Sequence, residues 1–255
     1  MLTAYDFPTG QLLDKAGIDI VLVGDSLANV VLGLNSTTEV GMNEMLHHSK
    51  AVAKGVKNAL LVGDMPFNAY QTNTSKSLEN AVKFVKEGGC DAVKIEWFTD
   101  CLKVSREICD AKIPVMGHIG LTPQTAEGLG GFKVQGKDAQ SAKELIKQAQ
   151  ELEQTGCFSI VLECVPDKIS EIITKKIKIP TIGIGAGVHC DGQVLVINDM
   201  LGLFERYTPK FVKKYADLSS LILKAVGEYK KDVLDEKFPD QEHSFKMSAE
   251  ELKKL

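Results

Sequence analysis

Four carboxylates stand where short apolar runs stop. Asp25 follows IVLVG, Asp64 follows LLVG, Glu96 follows AVKI and Glu163 follows IVL. Asp6 and Asp199 are placed near the ends of two further runs, and His118 closes another. Apolar strands have no packing reason to finish on an acid this often. Lys94 precedes Glu96 by two, and residues two apart share a strand face. If Val93 and Ile95 face covering helices, Lys94 and Glu96 point the other way, into an interior where an unpartnered charge is costly. Met116 with His118, and Val161 with Glu163, follow the same alternation. Val21, Val23 and Asp25 form one such set, and Leu60, Val62 and Asp64 another. Several acids near one point need something positive among them. Oxygen donors with places left for water and substrate describe Mg²⁺ better than Zn²⁺, which favours His or Cys.

The elements that must position these residues read as strand and helix in alternation. Strand candidates are residues 2–5, 18–23, 59–62, 92–95, 114–116, 160–162, 181–184 and 193–197. Helix candidates are 8–16, 43–57, 75–87, 99–111, 139–154 and 167–176, with Ser75 as a cap before Leu78. Eight strands in about 200 residues predict a closed α/β barrel, (β/α)₈, in one domain spanning 1–255. In such a barrel the reactive rim lies at the carboxyl ends of the strands, where all six acids are expected to meet. Residues 122–137 (TPQTAEGLGGFKVQGK) read as a functional loop after the fifth strand. A helical extension is expected from about residue 209 to Lys237, followed by a polar segment that caps the barrel or crosses to a neighbouring subunit.

Composition excludes several alternatives. The chain has 255 residues, 44% hydrophobic and 25% charged, which is ordinary for a globular fold. Thirty Lys and Arg against 34 Asp and Glu give a net charge of −4, with no basic face for nucleic acid. The most apolar stretch, residues 18–34, is broken by Asp19, Asp25 and Asn29, so no membrane span is expected. Six scattered cysteines without metal-ligand spacing, and no secretory signal, point to the reducing cytoplasm.

Nine motifs in order resemble the ketopantoate hydroxymethyltransferase family. They are TAYD (3–6), VGDS (23–26) with VLG (31–33), DMPF (64–67), VKIE (93–96), GHIGLTPQ (117–124), GGFKVQGK (130–137), LECVP (162–166), IGIGAG (182–187) and DGQVLV (191–196). HSF (243–245) closes the match. The resemblance implies a TIM barrel of the phosphoenolpyruvate/pyruvate-binding type. It also implies a Mg²⁺-dependent transfer of a hydroxymethyl group from 5,10-methylenetetrahydrofolate to 3-methyl-2-oxobutanoate, giving 2-dehydropantoate in pantothenate biosynthesis. On the matching motifs, Asp25, Asp64 and Glu96 are the metal carboxylates. Asp25, Ser26, Asp64 and Lys94 contact the keto acid, Glu163 is the catalytic base, and His118 has a supporting part. A homo-oligomer, a decamer by resemblance, is implied too. The chain departs from the family pattern at Trp97 and Phe98, where glycines are usual, and at Leu27-Ala28-Asn29 after VGDS.

Each residue also has a plainer reading. Asp25 and Asp64 can cap helices, Lys94 and Glu96 can form an interior ion pair, and His118 can be a hydrogen-bonded core residue. Glu163 can be a solvated loop acid. The Gly183–Gly187 run can hold a phosphate or simply turn tightly. An oxo-acid lyase or mutase of the isocitrate lyase and phosphoenolpyruvate mutase type uses the same metal chemistry and is the alternative activity. A barrel that kept the scaffold and lost the chemistry is the other.

Overall fold

The computed structural model describes residues 1–72, 74–126, 128 and 133–255. Eight parallel strands follow in chain order: β1 (Leu2–Thr3), β2 (Ile20–Val23), β3 (Leu60–Asp64), β4 (Ala92–Glu96), β5 (Val115–Gly120), β6 (Ser159–Glu163), β7 (Thr181–Ile184) and β8 (Gly192–Gln193). Each strand pairs with the next, and Leu2 bridges in parallel to Leu195 just past β8. The sheet is therefore closed into the expected barrel. Parallel neighbours need crossovers, which helices supply. These are α1 (Phe7–Lys15), α2 (Leu27–Val30), α3 (Met42–Ala53), α4 (Phe67–Tyr70), α5 (Ser77–Lys86), α6 (Cys101–Asp110), α7 (Ala139–Thr155) and α8 (Asp167–Lys176). Beyond β8 come α9 (Ile197–Met200), α10 (Leu218–Leu234) and α11 (Ala249–Leu252).

Strand alternation divides the core in two. Val21, Val23, Val93, Ile95, Val115 and Ile160 pack outward beneath the helices. Leu22, Val62, Ala92, Met116, Val161, Ile182 and Val194 fill the barrel interior as an apolar plug. Continuing along the same inward faces, β3 and β4 carry Asp64, Lys94 and Glu96, β5 carries His118 and β6 ends on Glu163. Gly63 shows how closely the outer layer is fitted. A Cβ there would lie 2.3 Å from the ring of Phe84 on α5, so only glycine lets that helix approach.

Several expected boundaries move. The first strand stops at Thr3, so Asp6 is not a strand end; it caps α1, accepting from the Thr9 amide at 2.8 Å, and faces solvent. The cap expected at Ser75 is displaced, because residues Thr74–Lys76 form a 3₁₀ turn and α5 begins at Ser77 with Lys76 in the cap position. The eighth strand is short: Ile197, expected within it, opens α9, and Asp199 is a helical residue. Residues 209–217 are not helical, and α10 starts at Leu218, where the Asp217 carboxylate accepts from the Ser220 amide. The loop after β5 contains a 3₁₀ turn, Pro123–Thr125. Glu127 and residues 129–132, which include the start of the GGFKVQGK motif, lie outside the described residues. No described helix is long and apolar enough to cross a membrane, and all six cysteines are free thiols.

Asp199 yields a test of this placement. It is 9% exposed, and burial lifts its carboxyl to about 6 against the opposing pull of Lys214. A carboxyl raised in the folded state supports folding when protonated. That support is full below the unfolded pKa and is lost as pH rises through about 6. Asp199→Asn is expected to raise Tm at pH 8 by roughly 2–4 °C, the shift about 1 kcal/mol produces in a domain of this size. The gain should shrink as pH falls towards 4. Thermal melts at the two pH values check this, and a lower Tm at pH 8 would mean that the fold needs the Asp199 charge.

Candidate active site

Asp64 and Lys94 are register partners on adjacent strands, so their side chains meet inside the barrel. The Lys94 ammonium lies 2.5 Å from Asp64 Oδ1, and both residues are buried. This pair, rather than Lys94 with Glu96, is the interior ion pair. Burial alone would lower the Lys94 pKa, but the charges of Asp64, Glu96 and Asp25 together outweigh it and raise it. The other oxygen of Asp64 accepts from the Asp25 backbone N–H at 3.3 Å. Asp25 reaches this point because regular β2 ends at Val23. Had the strand continued, alternation would have sent Asp25 outward with Val21 and Val23. Its pKa is raised well above the usual range by burial, then by the charges of Asp64 and Glu96, against Lys94 and a hydrogen bond from Gln124.

Glu96 and His118 are register partners one strand further on. His118 sits between two acids, Nδ1 at 3.4 Å from Glu96 Oε1 and Nε2 at 3.2 Å from Glu163 Oε2. Neither contact is aligned as a hydrogen bond, so both are electrostatic. Burial, the largest influence, and Lys94 push the imidazole down. The two carboxylates more than compensate and lift it to about 9. The position of His118 between Glu96 and Glu163 thus favours its charged form. Glu163 is half-open to the rim, and its backbone carbonyl accepts from the Leu121 amide at 2.8 Å. Gly120 makes this approach possible: its φ is +95°, and a Cβ would stand 2.3 Å from the Glu163 carbonyl oxygen. Ser26 Oγ is 2.8 Å from the Tyr5 hydroxyl.

All seven sequence-predicted site residues therefore lie at one end of the barrel. Asp25, Asp64, Lys94 and Glu96 form one charged cluster, His118 ties it to Glu163, and Ser26 follows Asp25 at its edge. Of the six acids expected on the rim, Asp6 does not take part, and Asp199 acts on Tyr5 through its charge alone. The capping alternative for Asp25 and Asp64 falls: α2 has Ser26 and α4 has Pro66 at the cap position, and neither helix has a side-chain cap. Gly185 and Gly187 adopt φ of 63° and 80°, and the space a Cβ would need there is taken by Phe211 and Asp167.

Sequence reasoning missed Gln124, Tyr70 and Tyr5. Gln124 Nε2 donates to Asp25 Oδ2 at 2.9 Å, while its backbone N–H donates to Glu96 Oε2 at 3.0 Å. The Tyr70 hydroxyl accepts from the Glu96 amide at 2.9 Å. Gln124 stood inside GHIGLTPQ, but nothing in its type or spacing distinguishes a buried glutamine from an exposed one. Beside the turn that carries Gln124, a cavity of about 200 Å³ is lined by Trp97, Thr122, Thr125, Gln135, Glu144 and Gln148.

Comparison with known proteins agrees with this geometry. A family model described as ketopantoate hydroxymethyltransferase matches residues 1–241. The 3-methyl-2-oxobutanoate hydroxymethyltransferase of Syntrophomonas wolfei is 53% identical over 255 residues, covering 100% of this chain and 92% of the relative. That of Enterococcus faecalis is 53% identical, covering 100% and 93%. Among solved structures, a phosphonopyruvate hydrolase superposes with a TM-score of 0.60 at 13% identity over 99% of this chain and 88% of that one. A phosphoenolpyruvate phosphomutase from Streptomyces platensis subsp. rosaceus gives 0.60 at 14% identity over 92% and 82%. These distant likenesses establish the barrel alone, so the lyase or mutase alternative is supported only at the level of fold. By its family model and its full-length relatives, the chain belongs to the ketopantoate hydroxymethyltransferase family.

Proposed function

We propose that this chain transfers a hydroxymethyl group from 5,10-methylenetetrahydrofolate to 3-methyl-2-oxobutanoate with the help of Mg²⁺, the reaction its family name describes. The observation that carries the reading is a charge deficit at the rim. Asp25, Asp64, Glu96 and Glu163 crowd around Lys94 and His118, and the crowding pushes Asp25 towards its neutral form. A divalent cation would balance the cluster. Glu96 Oε1 is buried and makes no hydrogen bond, only the 3.4 Å electrostatic contact with His118, which leaves it a lone pair for a metal. Among the described residues, no three His, Cys, Asp or Glu side chains form a ready metal cage. Mg²⁺ does not require one, since it keeps several waters and takes one or two carboxylates plus substrate oxygens. Asp25, Asp64 and Glu96 are the residues that would hold it.

When bound, the cation supplies Lewis acidity to the 2-oxo group of the keto acid. Lys94 and Ser26 bind and orient the substrate carboxylate, Lys94 acting as a compact point charge. Glu163 takes the C3 proton, which frees C3 to bond to the methylene carbon of the folate; water then supplies the hydroxyl as the carbon–nitrogen bond breaks and tetrahydrofolate leaves. His118, charged and shared between Glu96 and Glu163, holds that carboxylate at the substrate side of the rim. The free thiols fit a reducing cytoplasm. We also propose self-association. Ile222, Val226, Tyr229 and Val233 form one exposed stripe on α10, a helix with no buried residue, and a helix of this kind is expected to find cover in a second copy.

Three outcomes are expected. Glu163→Gln should lose deuterium exchange at C3 of 3-methyl-2-oxobutanoate in heavy water, even without folate, by about 10²–10⁴-fold. Exchange at the wild-type rate, read by proton NMR, would move Glu163 out of the proton-abstraction step. Asp64→Asn should weaken Mg²⁺ binding in calorimetry and nearly abolish turnover while remaining folded, because Lys94 keeps Asp25 and Glu96 as counter-charges. Wild-type metal affinity in that variant would sink the assigned ligand set. Sedimentation velocity should find the wild type assembled and Val226→Glu shifted to smaller species; a monomeric wild type overturns the assembly reading.

A further inference from the structure

Gln124 is buried at the centre of a hydrogen-bond network that reaches two of the proposed metal carboxylates from one side. Its amide nitrogen donates to Asp25 Oδ2 at 2.9 Å and to the Met65 carbonyl at 3.0 Å. Its amide oxygen accepts from the Tyr70 hydroxyl at 2.8 Å and from Gln71 Nε2 at 3.0 Å. A carboxamide offers two donors and two acceptor sites, and all four are used. The orientation of the amide follows without ambiguity, because the Met65 carbonyl can only accept. Tyr70 is oriented as well: its oxygen takes the Glu96 N–H, so its single proton goes to Gln124. The backbone N–H of Gln124 then fixes Glu96 Oε2 at 3.0 Å.

Asp25 and Glu96 come from the end of β2 and from β4, with β3 between them, and their like charges repel. Gln124 holds one oxygen of each through a neutral donor and leaves Glu96 Oε1 without a hydrogen bond, facing His118 Nδ1 at 3.4 Å. We infer that Gln124 is a positioning residue for the cation: it sets the separation of Asp25 and Glu96 and reserves their remaining oxygens, with Tyr70 locking its orientation. The inference rests on the reading that these carboxylates bind a divalent metal. It requires the neutral amide, since a side chain of the same length without donors releases Asp25 Oδ2, while the backbone N–H still holds Glu96.

The test is Mn²⁺ binding to the purified full-length protein, without keto acid, read by electron paramagnetic resonance of the free ion. Gln124→Met should weaken Mn²⁺ binding about 10–100-fold, the usual cost of losing a group that orients a metal ligand, while circular dichroism shows a folded chain. Tyr70→Phe should weaken it less. The double variant should lose less than the product of the two single losses, because both act through one network. A folded Gln124→Met with wild-type affinity overturns the inference and leaves the metal reading intact. If Gln124→Met does not fold, wild-type affinity in Tyr70→Phe overturns it equally. A wild type that binds no Mn²⁺ removes the metal reading itself, and the inference with it.

Discussion

The rim is organised around one ammonium buried among three carboxylates. Lys94 cannot be desolvated alone, and neither can Asp25, Asp64 or Glu96; each is tolerable only because the others are in reach. The pairing of Lys94 with Asp64 satisfies one charge and leaves the cluster short of positive charge. That shortage is the property on which the proposed binding of a divalent cation rests. His118 extends the arrangement by one strand, so that Glu163 is linked electrostatically to the Lys94 cluster without belonging to it.

Such a cluster needs a scaffold that can hold repelling groups together. The closed barrel does this by register. Adjacent parallel strands bring Asp64 beside Lys94 and Glu96 beside His118, while the apolar plug of Leu22, Val62, Met116 and Val161 seals the interior below them. The loop after β5 adds the second support. Gly120 lets it pass close to the Glu163 carbonyl, and its 3₁₀ turn directs both an amide side chain and a backbone N–H at acids on other strands.

Alternation along apolar strands made the inward faces of β4, β5 and β6 legible from residue types, because a two-residue period admits only two faces and one of them must be apolar beneath helices. The same logic placed Lys94, Glu96, His118 and Glu163. Motif order supplied the family. Asp25 was legible by type but not by geometry. Its place depends on where β2 stops, and chain direction after a glycine is not a matter of periodicity.

What tertiary structure alone decided concerns contacts between residues far apart in sequence. Asp199 and Asp6 looked equivalent to the other acids as neighbours of apolar runs, yet one lies in a helix and the other caps one. The partner of Lys94 proved to be Asp64, thirty positions away, and not its near neighbour Glu96. Gln124 meets Asp25 across ninety-nine positions. Residue type and local period specify which face a side chain takes and which chemistry it carries. Which charged groups meet depends on strand register and loop closure, both set by the packing of the whole barrel.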